Sequence, residues 1–505
     1  MIAIEITATI NAAGDTSMLY LSDGRFITSG TDTPADIAFD PLVIDPGSIG
    51  KAAYSDGATG GATKLETGEI VLANIDGALD YLLDYGFDGQ PVVIRTNNGV
   101  TVTDYPTDWT AVLSATIESV ESTVDKFVFR LRDKQWMLTK PVCDQVYAGT
   151  NSLPSGLEGI ADDIKGQRKP KVFGQVVGIN PPWVNTSRLI YEVGICNSVD
   201  AVYDRGLALT VGAVYTDQTD METNAPAAGA FRAWPAGGYF RLGSSATGQI
   251  TADVTAGASA GARTTAQILE DLALAAGLTT GEISGADVTA LDAANADVVG
   301  IWLQDDTDYV SAMDQIASGI GAYYGFDSTG VLRMGRLAAP TGAAALTIND
   351  YDVLGLERRP ARDNGVPAWR FTLYHSKNFT PLTGDIAGAV TDVRRAYIAQ
   401  EWRSTTAADA TIKDKHLLAQ EMEAYGLLVS ATAADTEAAR RLALYDERRD
   451  ILDVTIPLEV LGSVKLMDVV KVIYPRFGCT SGKDFRLIGI RYELAQRQAV
   501  LTLWG

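Results

Sequence analysis

The chain has 505 residues, more than one hydrophobic core usually spans, so three or four domains of ordinary size are expected. Its 46% apolar and 21% charged residues are those of a folded globular protein, which excludes an extended disordered chain. Acidic residues outnumber basic ones by 63 to 41, and the net charge of −22 repels phosphate backbones and anionic lipid, which argues against sequence reading of nucleic acid.

At the N-terminus Ile2, Ile4 and Ile6 carry the two-residue alternation of a half-buried strand, continued through Ile10. Met18-Leu19-Tyr20-Leu21 before Asp23-Gly24 reads as a second strand and its turn, with Gly14-Asp15 as the turn between the two. Residues 56–62 are Asp, Gly, Ala and Thr only, have little to bury, and read as a loop. A strand is expected over 69–74. Leu79, Leu82 and Leu83 then fall at helical spacing before Gly86, and strands resume at 92–95 and 126–131.

Residues 171–255 alternate short strands and turns, the pattern of a small β domain. Ala256-Gly257-Ala258-Ser259-Ala260-Gly261-Ala262 has the composition of a flexible connector and marks a boundary. Two helices follow: Ile268, Leu269, Leu272 and Ala276 share one face, as do Tyr309, Met313, Ile316 and Ile320 after an acidic first turn at Asp305 and Asp306. A hairpin over 323–333 is expected to turn at Ser328-Thr329-Gly330. The last third begins with a strand at 368–374 and is then broken by a helical insertion near 407–450. Its clearest helix covers 433–449, with Thr432 as candidate cap and Asp435 and Glu437 in the first turns. The closing strands alternate well: Leu452, Val454 and Ile456, then 469–473, then 485–492 paired with 499–503.

The three cysteines, Cys143, Cys196 and Cys479, are too few and scattered for a disulfide scaffold or a zinc cage and read as small buried apolar residues. The N-terminus lacks the basic region, apolar run and cleavage site of a secretion signal, and no stretch of about eighteen apolar residues spans a membrane.

Gly68-Glu69-Ile70-Val71-Leu72-Ala73-Asn74-Ile75-Asp76-Gly77-Ala78-Leu79-Asp80 with Phe87-Asp88-Gly89-Gln90-Pro91 is similar to the first domain of tail hub proteins of long-tailed bacteriophages, prophages and gene-transfer-agent particles. Further resemblances stand in the same order. They are Lys169-Pro170-Lys171-Val172-Phe173-Gly174, Val202-Tyr203-Asp204-Arg205-Gly206, Phe240-Arg241-Leu242-Gly243, Gly248 to Val254, Gly319 to Arg336, Phe485 to Ile490 and Leu501 to Gly505. One departure is Leu466-Met467-Asp468, where such proteins usually carry glycine before the aspartate.

The resemblance implies a mainly β protein with α+β insertions. Two tail-tube-like β barrels would occupy 1–150 and 346–505, with a middle β domain at 151–255 and a small α+β domain at 256–345. It further implies a non-enzymatic virion protein at the distal end of the tail, assembled in the bacterial host cytoplasm. As a homotrimer it would join a sixfold tail tube to a threefold tip and line the DNA conduit. Its partners would be the tube or distal tail protein, the tape measure protein, and tip, spike or fibre proteins, with no sequence-specific nucleic acid and no membrane insertion.

Other chemistry weighs little against this. Only His375 and His416 exist, in different predicted elements, and neither His-Glu-x-x-His nor Cys-x-x-Cys occurs. Gly257-Ala258-Ser259-Ala260-Gly261 matches a nucleophile elbow, but it lies in an Ala/Gly/Ser connector and follows a strand too polar for the centre of a hydrolase sheet. Gly478-Cys479-Thr480-Ser481-Gly482-Lys483 is one residue short of a phosphate loop and is followed by Asp484. Asp305-Asp306-Thr307-Asp308 reads as helix-capping groups, and Asp446-Glu447-Arg448-Arg449-Asp450 as a self-paired surface. Trp234, Tyr239 and Phe240 could stack on a sugar but suit a β-domain core better. No catalytic, cofactor-binding or metal-binding residue is assigned, and no cofactor is expected. Two alternatives stand beside the hub: a receptor- or glycan-binding tip protein using residues 171–255, and a tail-borne cell-wall hydrolase with a hidden carboxylate pair.

Overall fold

The protein is described here by a computed structural model covering residues 1–54, 61–62, 64–97, 104–327, 329–360 and 366–505, and the side chains of all of these except 61–67. Alternating branched residues build the N-terminal sheet: Ile2, Ile4, Ile6 and Ala8 of strand Ile2–Thr9 are buried, while Glu5, Thr7 and Thr9 lie on the other face. The strands run in the order Thr16–Ser22, Ile2–Thr9, Pro91–Thr96, Thr110–Ser122, Lys126–Arg132, Glu69–Ala73, Val43–Asp45, each pair antiparallel. Residues 38–45 link the two edges. The Ser22 N–H donates to the Asp40 carbonyl at 2.8 Å, the Asp40 N–H to Tyr20 at 2.9 Å, and the Ala73 N–H to Leu42 at 2.8 Å.

The C-terminal sheet runs Leu346–Ile348, Val469–Val472, Lys483–Glu493, Gln498–Trp504, Asp450–Pro457, Gly355–Pro360. Its Leu452, Val454, Ile456, Phe485 and Leu501 meet Ile4, Ile6, Phe127 and Phe129 of the N-terminal sheet in one contiguous core. Each fully buried phenylalanine there contributes about 1.5–3 kcal/mol. In the turn before Val469, Met467 takes φ of 71°, the left-handed conformation that glycine adopts at lower cost. The Met467 N–H donates to the Leu487 carbonyl at 2.7 Å, the Leu487 N–H donates to the Asp468 carbonyl at 3.0 Å, and the Asp468 carboxylate accepts from the Lys465 N–H at 2.8 Å, which together hold the turn.

Between the terminal sheets in chain order come two five-stranded sheets and a helical layer. Lys171–Ile179 pairs with Ile250–Thr255 on one side and with Gly300–Leu303 on the other, so this sheet takes a strand from beyond residue 255. Helices Thr265–Ala275, Gly285–Ala294 and Tyr309–Ser318 pack with the hairpin Ala322–Phe326/Leu332–Arg336. The expected faces are buried: Ile268, Leu269, Leu272 and Ala276, and Tyr309, Met313, Ile316 and Ile320. Among the described residues no helix is long and apolar enough to cross a membrane.

Several expectations need correction. Strand Ala368–His375 does not belong to the C-terminal sheet; it is the centre of a separate three-stranded sheet between Arg403–Ala408 and Gln420–Tyr425, covered by helix Ala431–Tyr445. The inserted unit therefore begins before 407, because alternation identifies a strand and not its partner. Helix Gly285–Ala294 was not expected, since only Val288 and Leu291 of it are buried and its Ala, Thr and Asp carry no apolar stripe. The connector at 256–262 is tied down, with the Ala256 N–H on the Gly174 carbonyl at 2.8 Å and the Gly257 N–H on Asn197 Oδ1 at 2.6 Å. Strand Ile250–Thr255 is almost wholly buried despite its polar sequence, because Thr255 donates to Asp200 at 2.6 Å and Asp253 accepts from Tyr203 at 2.8 Å. Residues 56–60 of the expected loop and Ser328 of the expected turn lie outside the described residues, while Gly61–Ala62 forms a short strand.

Helix Ala431–Tyr445 docks through charge as well as apolar contact. Glu437, 2% exposed, accepts from Arg440 at 2.6 and 2.8 Å and from Arg441 at 3.0 Å. The same guanidinium groups donate to the carbonyls of Ser318, Ile320 and Leu337. Replacing Glu437 with Ala leaves a buried cation uncompensated, so thermal unfolding should show a loss of about 3–5 kcal/mol, against no more than about 0.5 kcal/mol for Ala at exposed Glu447.

Candidate assembly seam

The two terminal sheets are joined by one hairpin that belongs to both. Its base, Val43–Asp45 against Glu69–Ala73, closes the N-terminal sheet. Farther along the same two chains, Ser48–Ala52 pairs with Lys64–Thr67 on one side and with residues 489–493 of Lys483–Glu493 on the other. Near its tip Gly61–Ala62 lies parallel to Ala322–Phe326 of the helical layer. One excursion of the chain therefore hydrogen-bonds to three units.

Glycine makes the crossing between the sheets possible. Gly47 has φ of 83°, and its N–H donates to Asp45 Oδ1 at 2.9 Å. Opposite it, a Cβ on Gly68 would lie 2.8 Å from both the backbone nitrogen and the carbonyl oxygen of Ser48, closer than real Cβ contacts allow. Beyond the crossing Ile49 enters the shared core and Ala53 and Tyr54 the helical core, where Tyr54 meets Tyr323 edge-on at 6.0 Å. Lys51 is 8% exposed, with its ammonium 5.6 Å from the Tyr492 ring, and burial pushes it down to about 8.

The C-terminal sheet turns its other face to a groove of about 320 Å³. There Arg359 pairs with Asp453 at 2.7 Å, and Asp453 also accepts from Thr502 at 2.8 Å. Lys51, Glu357 and Arg491 complete its charged lining, so the groove is mixed in sign.

The residues considered for chemistry are dispersed. His375 is buried at a strand end with Nδ1 2.8 Å from Ser376 Oγ, and burial holds its imidazole below the usual value. His416 follows the short helix Ile412–Lys415. Ser259 is exposed at a turn after an antiparallel strand, not at a parallel strand-to-helix elbow. Gly478 and Gly482 sit at φ of 76° and 88° in a turn that leads into strand Lys483–Glu493, not into a phosphate-binding helix. Asp308 caps helix Tyr309–Ser318 by accepting from Ser311 at 2.7 Å, while Asp305 accepts from Thr307 at 3.0 Å. Arg449 pairs with Glu447 at 2.7 Å. Trp234 and Tyr239 stack at 5.9 Å, with Tyr239 and Phe240 buried. All three cysteines are free and buried, and burial pushes Cys143 up to about 11 and Cys196 up to about 12. Among the described residues no group of three or more His, Cys, Asp or Glu side chains could hold a metal ion.

The sequence reading passed over Glu192. It is 6% exposed, accepts from the Tyr147 hydroxyl at 2.7 Å and bonds Tyr239, and burial pushes it up to about 7. Its signal was a lone charge between Tyr191 and Val193 in a short apolar strand.

No protein-family model and no curated protein matches the sequence. Solved structures to which the fold is similar include tail proteins, two of them from prophages, and a chain of a gene-transfer-agent virion. A tail protein from Neisseria meningitidis MC58 aligns over 99% of this chain and 96% of its own, at 10% identity and a TM-score of 0.44. The 43 kDa tail protein of prophage MuSo2 from Shewanella oneidensis aligns over 99% and 98%, at 10% identity and 0.41. A chain of the virion of a native gene transfer agent covers 72% of this chain and 91% of its own, at 16% identity and 0.43.

Two measurements check the seam and the buried acid. Gly68→Ala should lower stability by about 1–3 kcal/mol in thermal unfolding, while Gly281→Ala, whose Cβ meets nothing within 4 Å, should not. Because Glu192 holds its proton more tightly folded than unfolded, stability should fall as pH rises from about 4.5 to about 7, by about 3 kcal/mol from this group. Glu192→Gln should remove that slope in denaturant titrations.

Proposed function

We propose that the chain is a structural tail hub, joining a sixfold tail tube to a threefold tip. The carrying observation is that each chain brings two mainly antiparallel sheets onto one core and binds them with one hairpin. Two tube-like barrels per chain, at 1–150 and at 346–505 without the inserted unit that includes Ala368–Tyr445, would let three copies present six similar units to a sixfold ring. The middle β domain at 151–255 and the α+β domain at 256–345 would then pack outside them.

A three-chain ring needs a heterologous contact, one edge of a chain against a different edge of the next. The outer edge at Gly355–Pro360 is a candidate, being mostly exposed and without a further strand beyond it among the described residues. In this reading the tube or distal tail protein lies on one side and tip, spike or fibre proteins on the other, with the tape measure protein and DNA passing through the centre. The chain's acidic surplus suits passage of DNA without adhesion. In this reading the role is non-enzymatic, and Glu192, a buried carboxylate with a raised pKa, is enclosed by tyrosine hydroxyls and serves packing.

Imaging of assembled tails with this chain located decides the matter. Three copies at the distal end of the tube are expected; six copies would point to a ring-forming distal tail protein, and many copies to the tube itself.

A further inference from the structure

The inserted three-stranded sheet has two unlike faces. Phe371, Leu373 and Met422 face helix Ala431–Tyr445 and are buried. On the other face strand register sets Thr372 between Thr406 and Glu423, and Tyr374 between Ser404 and Tyr425. Tyr374 and Tyr425 stack at 4.4 Å with an interplanar angle of 8°, and Trp402 meets Tyr425 edge-on at 5.3 Å. Tyr425 nonetheless remains 48% exposed.

Below this aromatic end the face is lined by short hydroxyls and carboxylates. Thr372 and Thr406 hydroxyls lie 3.2 Å apart, and Arg370 pairs with Glu421 at 3.5 Å, both side chains being partly exposed. Glu423 stands two residues before Tyr425 on the same strand and therefore on the same face, opposite Thr372. From Arg370 to Tyr374 the strand spans about 13 Å, longer than a single sugar ring needs.

The composition of this face selects among occupants. None of its paired positions carries Leu, Ile, Val or Met, whereas the centre of a protein interface is apolar and poor in charge. Glu421 and Glu423 oppose phosphate and other polyanions. Flat aromatic rings beside hydroxyl-binding carboxylates and threonines match the apolar face and hydroxyl rim of a sugar ring.

We propose that this outer face binds an uncharged oligosaccharide, one ring resting on the Tyr425–Trp402 end and its hydroxyls donating to Glu423 and exchanging hydrogen bonds with Thr372 and Thr406. The site lies in the insertion, not in residues 171–255, and it does not depend on the hub reading, since a tail protein of any copy number could carry it.

The test uses the full chain on an array of uncharged and anionic bacterial surface oligosaccharides, followed by calorimetric titration of the strongest uncharged ligand. Tyr425→Ala and Glu423→Gln should each weaken binding by about tenfold, with melting temperature unchanged. Trp183→Ala, an exposed aromatic of the middle domain, should leave it intact. The proposal is overturned if no uncharged saccharide binds, if Trp183→Ala abolishes binding while Tyr425→Ala does not, or if Tyr425→Ala instead breaks self-association.

Discussion

The pairing of Ser48–Ala52 with residues 489–493 is the constraint on which the rest of the structure depends. It joins the beginning of the chain to its end in one register, so the C-terminal sheet carries strands contributed by the N-terminal part of the chain. The pairing sits directly above the shared core, with Ile49 and Ile490 buried together. Backbone bonds fix the register, and burial makes a slip by one residue costly because it would turn Ile49 out and Gly50 in. Such long-range pairing makes closure late and cooperative in folding, since its entropic cost falls before its contacts reward it.

The buried charges follow a consistent pattern. Glu437 is held by two arginines, Glu192 by two tyrosines, and Lys51 by an aromatic ring at the edge of the core. Each is expensive to bury and each sits where two units meet: the insertion against the helical layer, the segment around Tyr147 against the middle sheet, and the hairpin against the C-terminal sheet. Polar groups at such joints favour one mode of docking, because any other leaves a charge without its partner.

Much of the secondary structure was legible from the sequence. The alternation in Ile2–Thr9 and Asp450–Pro457 reports burial on one face, and the stripe from Ile268 to Ala276 reports a helix on a core. Partnership was not legible. Ala368–His375 alternates as well as any strand of the terminal sheets, and nothing local says that its neighbours are Arg403–Ala408 and Gln420–Tyr425. Strand Ile250–Thr255 looked too polar for a core because its threonine and aspartate find partners far away in sequence. The seam was half visible: Gly68 opens the most recognisable motif of the chain, yet its steric role appears only once Ser48 lies against it. The aromatic face of the insertion was invisible, since Tyr374, Trp402 and Tyr425 are brought together by pairing alone.

The most direct test of the joined-sheet account is native-state hydrogen exchange resolved along the chain. Amides of Ser48–Ala52 and of residues 489–493 should open only with the whole core, at the same free energy as those of Ile2–Thr9 and Gln498–Trp504. Exchange of the two terminal sheets at clearly different free energies, with the hairpin opening before either, would contradict it.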